Sequence, residues 1–218
     1  MEDIQEKKYD VLVIGAGAAG MRAAIAASDE GANVCLVSKS LLGKAHTVMA
    51  EGGAAAALGN ADERDNWKVH FRDTIKGGKH LNNWKMAKIH AEQAPERILE
   101  LERWGAVFDR TKDGKINQRN FGGHRYPRLA HVGDRTGLEI IRTVQDRVIH
   151  QENIDIFMEC TVANIITENN QAVGALAYYR NNGELVAIHA KAIVVATGGI
   201  GKAYRVTSNS WEYTGDGH

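Results

Sequence analysis

Proline is nearly missing from this chain: Pro95 and Pro127 are the two among 218 residues. With so little proline and 23 glycines, the composition is not that of a disordered tail. It suits a fold with glycine turns against a phosphate. Cysteine is equally scarce, and Cys35 and Cys160 both stand in apolar, strand-like runs. They give no metal spacing and no disulfide framework, which suits a reducing compartment. Net charge is zero, from 27 basic and 27 acidic residues, so nothing favours a nucleic acid or an acidic lipid as partner. No apolar run approaches the roughly 18–20 residues of a membrane span. Met1 to Lys8 is charged and lacks the apolar core of a secretory signal. Any membrane link is therefore expected through a partner. There is no H-E-x-x-H, C-x-x-C or G-x-S-x-G, and no internal repeat. His70, His80 and His90 recur every ten residues, which fits no ligand spacing on a helix, and His124 and His131 flank Pro127. No metal site is expected.

What the chain has is a βαβ pattern. Tyr9–Ile14 is a buried-strand run, Gly15-Ala-Gly17-Ala-Ala-Gly20 follows, and small residues from about Ala18 to Ser28 form a helix ended by Gly31. Asn33–Ser38 is the next strand. Ala50–Asn60, rich in small residues, reads as a tight helix or loop. Trp84–Trp104 has helical spacing but contains Pro95, so the pattern predicts two helices, with Pro95 in the first turn of the second. Arg110–Asp134 is polar and irregular, and loops of this length are usually functional. Gly137–His150 is an amphipathic helix with Leu138, Ile141, Val144 and Val148 on one stripe. Ile156–Met158, Thr161–Thr167 and Val173–Tyr179 are strand-like. Asn181-Asn182-Gly183 is a hairpin turn into Leu185–His189. A last strand, Ala192–Ala196, runs into Thr197-Gly198-Gly199. The fold class is α/β: a Rossmann-like parallel sheet with a β-meander.

The chemistry sits at the glycines. In G-x-G-x-x-G, Gly15 permits the tight turn, Gly17 lets the backbone approach a pyrophosphate, and Gly20 lets helix and strand pack. Phosphates favour the free N–H groups and dipole of the helix start. An NAD site would usually place Asp or Glu at the end of the second strand, and Ser38 and Lys39 stand there instead. Ala196-Thr197-Gly198-Gly199 after an apolar strand and a meander is a second dinucleotide signal, of the kind found in two-dinucleotide-fold flavoproteins. Between them stands Gly43-Lys44-Ala45-His46-Thr47-Val48-Met49-Ala50-Glu51-Gly52-Gly53. If the fold holds FAD, His46 lies where the flavin ring would lie, and histidine can bond covalently to the flavin 8α-methyl group.

In order and spacing, GAGAAG, AHTVMAEGG, QRNFGG, HVGDRTG, ATGGIG and TGDG resemble the flavoprotein subunit of succinate dehydrogenase and fumarate reductase, particularly the actinobacterial type. The resemblance runs from Tyr9 to Gly217. It implies covalent FAD on His46 and a pyrophosphate cradle of Gly15, Gly17, Ala18, Ala19 and Gly20. It implies that Ser38, Lys39, Ala45, Thr47, Glu51, Gly52, Gly53, Val162, Ala196, Thr197, Gly198, Thr207, Asn209 and Asp216 line the FAD. Phe121 and Gly52 would stand on the dicarboxylate side. Glu51 departs from the glutamine of many relatives. The family's subunit continues for several hundred residues, with a capping domain, a proton-moving arginine and the groups that grip the dicarboxylate. Residues 1–218 therefore read as the N-terminal FAD-binding portion, with an irregular insert at about 105–135 and the meander at about 155–196. The implied activity is oxidation of succinate to fumarate or the reverse. Electrons would pass through an iron–sulfur subunit to quinone, on a complex held at the cytoplasmic face of the inner membrane by anchor subunits. Two alternatives are an L-aspartate oxidase-like flavoenzyme, whose members lack a histidine at position 46, and a non-catalytic FAD-binding fragment.

Overall fold

A computed structural model describes residues 4–218. In chain order the elements are β1 (Gln5–Ile14), α1 (Ala18–Asp29), β2 (Val34–Val37), β3 (Ala54–Ala55), α2 (Trp67–Gly77), α3 (Trp84–Arg103), β4 (Gln118–Arg119), β5 (Leu129–Ala130), α4 (Thr136–Ile149), β6 (Ile154–Phe157), β7 (Cys160–Glu168), β8 (Gln171–Tyr179) and β9 (Leu185–Val195). The described residues divide into two compact units, one of residues 4–49 with 144–218 and one of residues 50–143.

The first unit holds a six-stranded sheet in the order β6-β2-β1-β9-β8-β7. β6, β2, β1 and β9 run parallel, and β9, β8 and β7 form the antiparallel meander. Leu12, Val13, Val34 and Leu36 are fully buried, as expected of central parallel strands. On α1, Gly20, Met21, Ala24, Ile25 and Ser28 are buried at helical spacing, and Gly31 turns the chain after it at φ +83°. One apolar cluster gathers Leu12, Ile14, Cys35, Val37, Cys160 and Ile188 with their neighbours. Both thiols are free and buried.

Three expectations change here. The runs at 185–189 and 192–196 are one strand, because β9 pairs along its whole length with β1, and only its first part pairs with β8. The β7–β8 turn is Asn169-Asn170, both at positive φ. A two-asparagine turn of this kind satisfies a hairpin as Asn-Gly does, so the strands reach further toward each other than apolar alternation shows. On α4, Ile141, Val144 and Val148 are buried, but Leu138 is half exposed.

In the second unit, α2 packs on α3, and β3, β5 and β4 form a small antiparallel sheet. The small-residue stretch 50–60 is therefore a loop, not a helix, with the two-residue strand β3 within it. α3 is one helix with Pro95 inside it. Ala87, Ala91, Ala94 and Ile98 are buried along one face on both sides of the proline. Their packing carries the helix through the position where a backbone N–H is missing. Asn83 caps α3 and Asn66 caps α2 through side-chain oxygens that accept from first-turn N–H groups. α2 has no counterpart in the sequence reading. The core of this unit joins Ala56, Ile98, Phe108, Ile116 and Ala130.

Candidate cofactor site

The carboxyl ends of β1, β2 and β9 open on a cavity of about 830 Å³. That lies in the range of roughly 300–1,000 Å³ usual for ligand sites, at the place where open α/β sheets bind them. The strand ends are tied by backbone bonds, Gly15 N–H to Val37 O and Ala196 N–H to Ile14 O, both 2.8 Å.

The three glycines at the β1–α1 turn do different work. Gly15 has φ +108°, and a Cβ there would lie 2.4 Å from Ala196 O. A Cβ on Gly20 would lie 1.8 Å from Gly15 O. Both are demanded by the protein's own packing. Gly17 is not: its φ is −77°, and its nearest neighbours to a Cβ are Ala45 Cβ and Thr47 Oγ1 at 3.6 Å. A side chain there would protrude into the cavity. Gly17 is also the N-cap of α1 and supplies no capping side chain, so the helix start presents first-turn N–H groups. One of them, Ala18 N–H, is met by Thr47 Oγ1 at 3.3 Å. A bare glycine over a helix N-terminus at the mouth of a cavity fits a bound diphosphate.

Ser38 and Lys39 follow β2 into the cavity wall. Lys39 is not a solvated strand-end charge. Its Nζ bonds Asp216 Oδ2 at 2.5 Å and also the Thr214 hydroxyl. The Lys39 contact first, then the Thr214 hydroxyl, which donates to Asp216 Oδ2 at 2.8 Å, hold the Asp216 carboxyl below its usual range. Cys160 also lines the cavity, and burial raises its thiol to about 11, so it stays protonated.

His46 opens a short 3₁₀ turn, His46–Met49, in the same wall. Its Nδ1 accepts the Ser210 backbone N–H at 3.2 Å. Its ring stacks on Tyr213, with centroids 4.4 Å apart and planes 26° from parallel. The Tyr213 ring also lies against the glycines after β9: a Cβ on Gly199 would meet Tyr213 Cζ at 2.8 Å, and one on Gly198 would meet Cε2 at 3.0 Å.

Among the residues expected from sequence, the cavity gathers Gly15, Gly17, Ala18, Ala19, Ser38, Lys39, Ala45, His46, Thr47, Val162, Ala196, Thr197, Gly198 and Asp216. Gly20 sits behind it as the packing glycine. Asn209 N–H bonds Thr207 Oγ1 at 3.1 Å, and the Asn209 side chain faces Gly201, so this pair shapes the turn after β9. Glu51, Gly52, Gly53 and Phe121 belong to the second unit. There Arg119 donates to Gly52 O and Glu51 O, each at 2.6 Å, and to Asp134 at 3.0 Å. Phe121 is exposed and lies over Gly52, where a Cβ would meet its ring at 3.3 Å. Gly53, at φ +123°, leaves room for Ala130 O.

The sequence reading missed Tyr213, Ser40, Lys44 and Thr161 in the cavity wall. Only Tyr213 carried a signal, an aromatic immediately before TGDG. It also missed a buried polar cluster in the second unit. Arg128 is fully buried and donates from Nη2 to Asp65 and Asp73, each at 2.9 Å. His70 lies edge-on to His90 at 5.2 Å and 6.0 Å from His124. The ten-residue period concealed this because the histidines come from different elements. No group of three or more His, Cys, Asp or Glu among the described residues could hold a metal.

Comparison with known proteins agrees with this geometry. Residues 10–218 match the FAD binding domain family. The chain is 38% identical over 216 residues to the fumarate reductase flavoprotein subunit of Haemophilus influenzae, covering 98% of this chain and 36% of that one. It is 38% identical over 223 residues to the succinate dehydrogenase flavoprotein subunit of Rickettsia bellii, covering 99% and 37%. It superposes on a chain of the Mycobacterium smegmatis Sdh1 complex with a TM-score of 0.96 and 57% identity, over 99% of this chain and 38% of that one. The chain thus spans less than two-fifths of the length of these relatives. From the open glycine at the helix start to the matched family, one conclusion follows: this chain belongs to the FAD binding domain family.

Proposed function

We propose that these residues form the FAD-holding part of a succinate dehydrogenase or fumarate reductase flavoprotein, with the FAD attached through His46. The observation that carries this is Gly17, a glycine that the protein's own packing does not require, in the same cavity wall as His46. The relatives' names support the dicarboxylate chemistry. When bound, the flavin supplies a two-electron acceptor that hands electrons on singly. The protein's share is binding and orientation. The start of α1, with Gly15, Gly17, Ala18 and Ala19, holds the diphosphate. Ser38, Lys39, Val162, Ala196, Thr197, Gly198 and Asp216 enclose the rest. In the second unit, Arg119 holds the carbonyls of Glu51 and Gly52 in place, which steadies the segment that would face the dicarboxylate beside Phe121. Glu51, in place of glutamine, would disfavour a negative reduced ring and so lower the flavin's potential. Gly20, Gly53, Thr207 and Asn209 act by shaping the backbone. Electrons would leave to an iron–sulfur subunit, and membrane-anchor subunits would hold the complex at the cytoplasmic face of the inner membrane. No helix among the described residues is long and apolar enough to cross a membrane.

The test is intact mass. The flavin-loaded protein should gain the mass of FAD under denaturing conditions, and His46→Ala should lose that gain while still binding FAD reversibly. Fully dissociable flavin in the parent protein would refute the covalent attachment.

A further inference from the structure

Two segments far apart in the chain meet at the Tyr213 ring. His46 stacks on Tyr213 at 4.4 Å. Gly198 and Gly199 leave space for the same ring, and any Cβ at Gly199 would collide with it. Tyr213 O accepts Lys202 N–H at 2.9 Å, and the residues just beyond it are tied to Lys39. The ring is thus held from two sides of the sequence. Next to it, Ser210 N–H occupies His46 Nδ1. A backbone N–H can only donate, so Nδ1 must be the acceptor, and neutral His46 carries its proton on Nε2.

We infer that Tyr213 is a positioning residue: stacked on His46, whose Nδ1 is occupied by the Ser210 amide, it holds the plane of the imidazole so that the open edge of the ring, carrying Nε2, meets the flavin. The inference rests on the proposed attachment through His46. In that attachment His46 Nε2 forms one N–C bond to the flavin 8α carbon. The Nε2 proton leaves to solvent, which frees the lone pair for that bond; one 8α C–H is also broken, its proton going to solvent and the two electrons to a two-electron acceptor such as dioxygen. Tyr213 touches neither bond. It limits the orientations of the imidazole, and misplacement by about 1 Å can cost about 100-fold in rate.

The experiment uses the complete flavoprotein subunit in its apo form, mixed with saturating FAD. The rate of attachment is read as acid-stable flavin fluorescence on denaturing gels. Tyr213→Leu fills the space against Gly198 and Gly199 but cannot stack, and Tyr213→Phe keeps a ring. Reversible FAD affinity is measured separately in a His46→Ala background, with and without Tyr213→Leu. Attachment should slow tenfold or more in Tyr213→Leu and stay within about twofold in Tyr213→Phe, with the reversible Kd changed less than threefold. Attachment at the parent rate in Tyr213→Leu would overturn the inference, as would an equally slow Tyr213→Phe. A reversible Kd that weakens in step, or is lost, would show that Tyr213 merely builds the cavity and would also overturn it. If the parent binds FAD but never attaches it, the His46 attachment itself fails, and this inference falls with it.

Discussion

Gly17 and Gly20, three residues apart, are glycine for different causes, and the difference is measurable. A Cβ at Gly20 would sit 1.8 Å from Gly15 O, so Gly20→Ala must separate α1 from β1. Overpacking of this kind costs about 1–3 kcal/mol, and the urea midpoint of the apo protein should fall accordingly. Gly17→Val meets no protein atom closer than 3.6 Å at Cβ. It should leave apo stability within about 1 kcal/mol yet abolish FAD binding, whereas Lys112→Ala, on the exposed surface, should change neither. Normal flavin absorbance in purified Gly17→Val would place the diphosphate elsewhere.

Two features of the second unit can be tested at the level of its elements. α3 runs through Pro95, which cannot donate to the carbonyl of Ala91. Pro95→Ala restores that bond at a half-buried position and should raise the unfolding free energy by about 1–2 kcal/mol. A lower denaturation midpoint would mean that the proline ring is itself a packing element. α2 carries His70, buried and held down to about 4, first by loss of hydration, then by the charge of Arg128 and by His90 and His124. His124 is lowered for the same leading reason. A histidine whose folded value lies below its free value of 6.5 takes up its proton first in the unfolded chain. The stabilising effect is therefore complete above about pH 6.5 and is lost as pH falls toward 4. For His70 the loss amounts to about 3 kcal/mol. Urea unfolding at pH 7.5 and 4.5 should show it, and His70→Gln should remove most of the difference. Arg128 pairs with Asp65 and Asp73 with no exposure of its own. Arg128→Leu would leave two buried carboxylates facing each other and should cost about 3–5 kcal/mol.

For the whole molecule the decisive quantity is coverage. The chain spans 38% of the Mycobacterium smegmatis Sdh1 chain that it matches at a TM-score of 0.96. On the proposed reading the cavity holds the cofactor, and the resemblance puts the proton-moving arginine and the dicarboxylate-gripping groups outside these residues. The isolated 218-residue chain, loaded with FAD, should therefore show no succinate-dependent dye reduction. Loss of the acid–base group alone lowers rates by about 10²–10⁴-fold. Turnover near that of a complete subunit would put the catalytic groups within residues 1–218. Trp211, Val206 and Tyr204 are strongly exposed near the end of the sequence, and apolar surface of that kind favours association. Sedimentation of the isolated chain should show self-association that a Trp211→Ser change reduces.

By itself the sequence determined the βαβ frame, the meander, the glycine turn and the place of His46. Each is a local matter: strand runs, helix periodicity and turn residues are set by neighbours in the chain. The one helix through Pro95, the single long β9 and the two-residue strand β3 were decided by tertiary packing. In each case burial of an apolar face or pairing with a distant strand outweighed the local signal. The same holds inside the site. That Gly20 serves packing while Gly17 faces the cavity depends on where Gly15 O and Thr47 lie. That Tyr213 stacks on His46 depends on two segments more than 160 residues apart meeting at one strand end. The clustering of His70, His90 and His124 arises likewise from the packing of α2 on α3 and the loop beyond, where proximity in space has no counterpart in spacing.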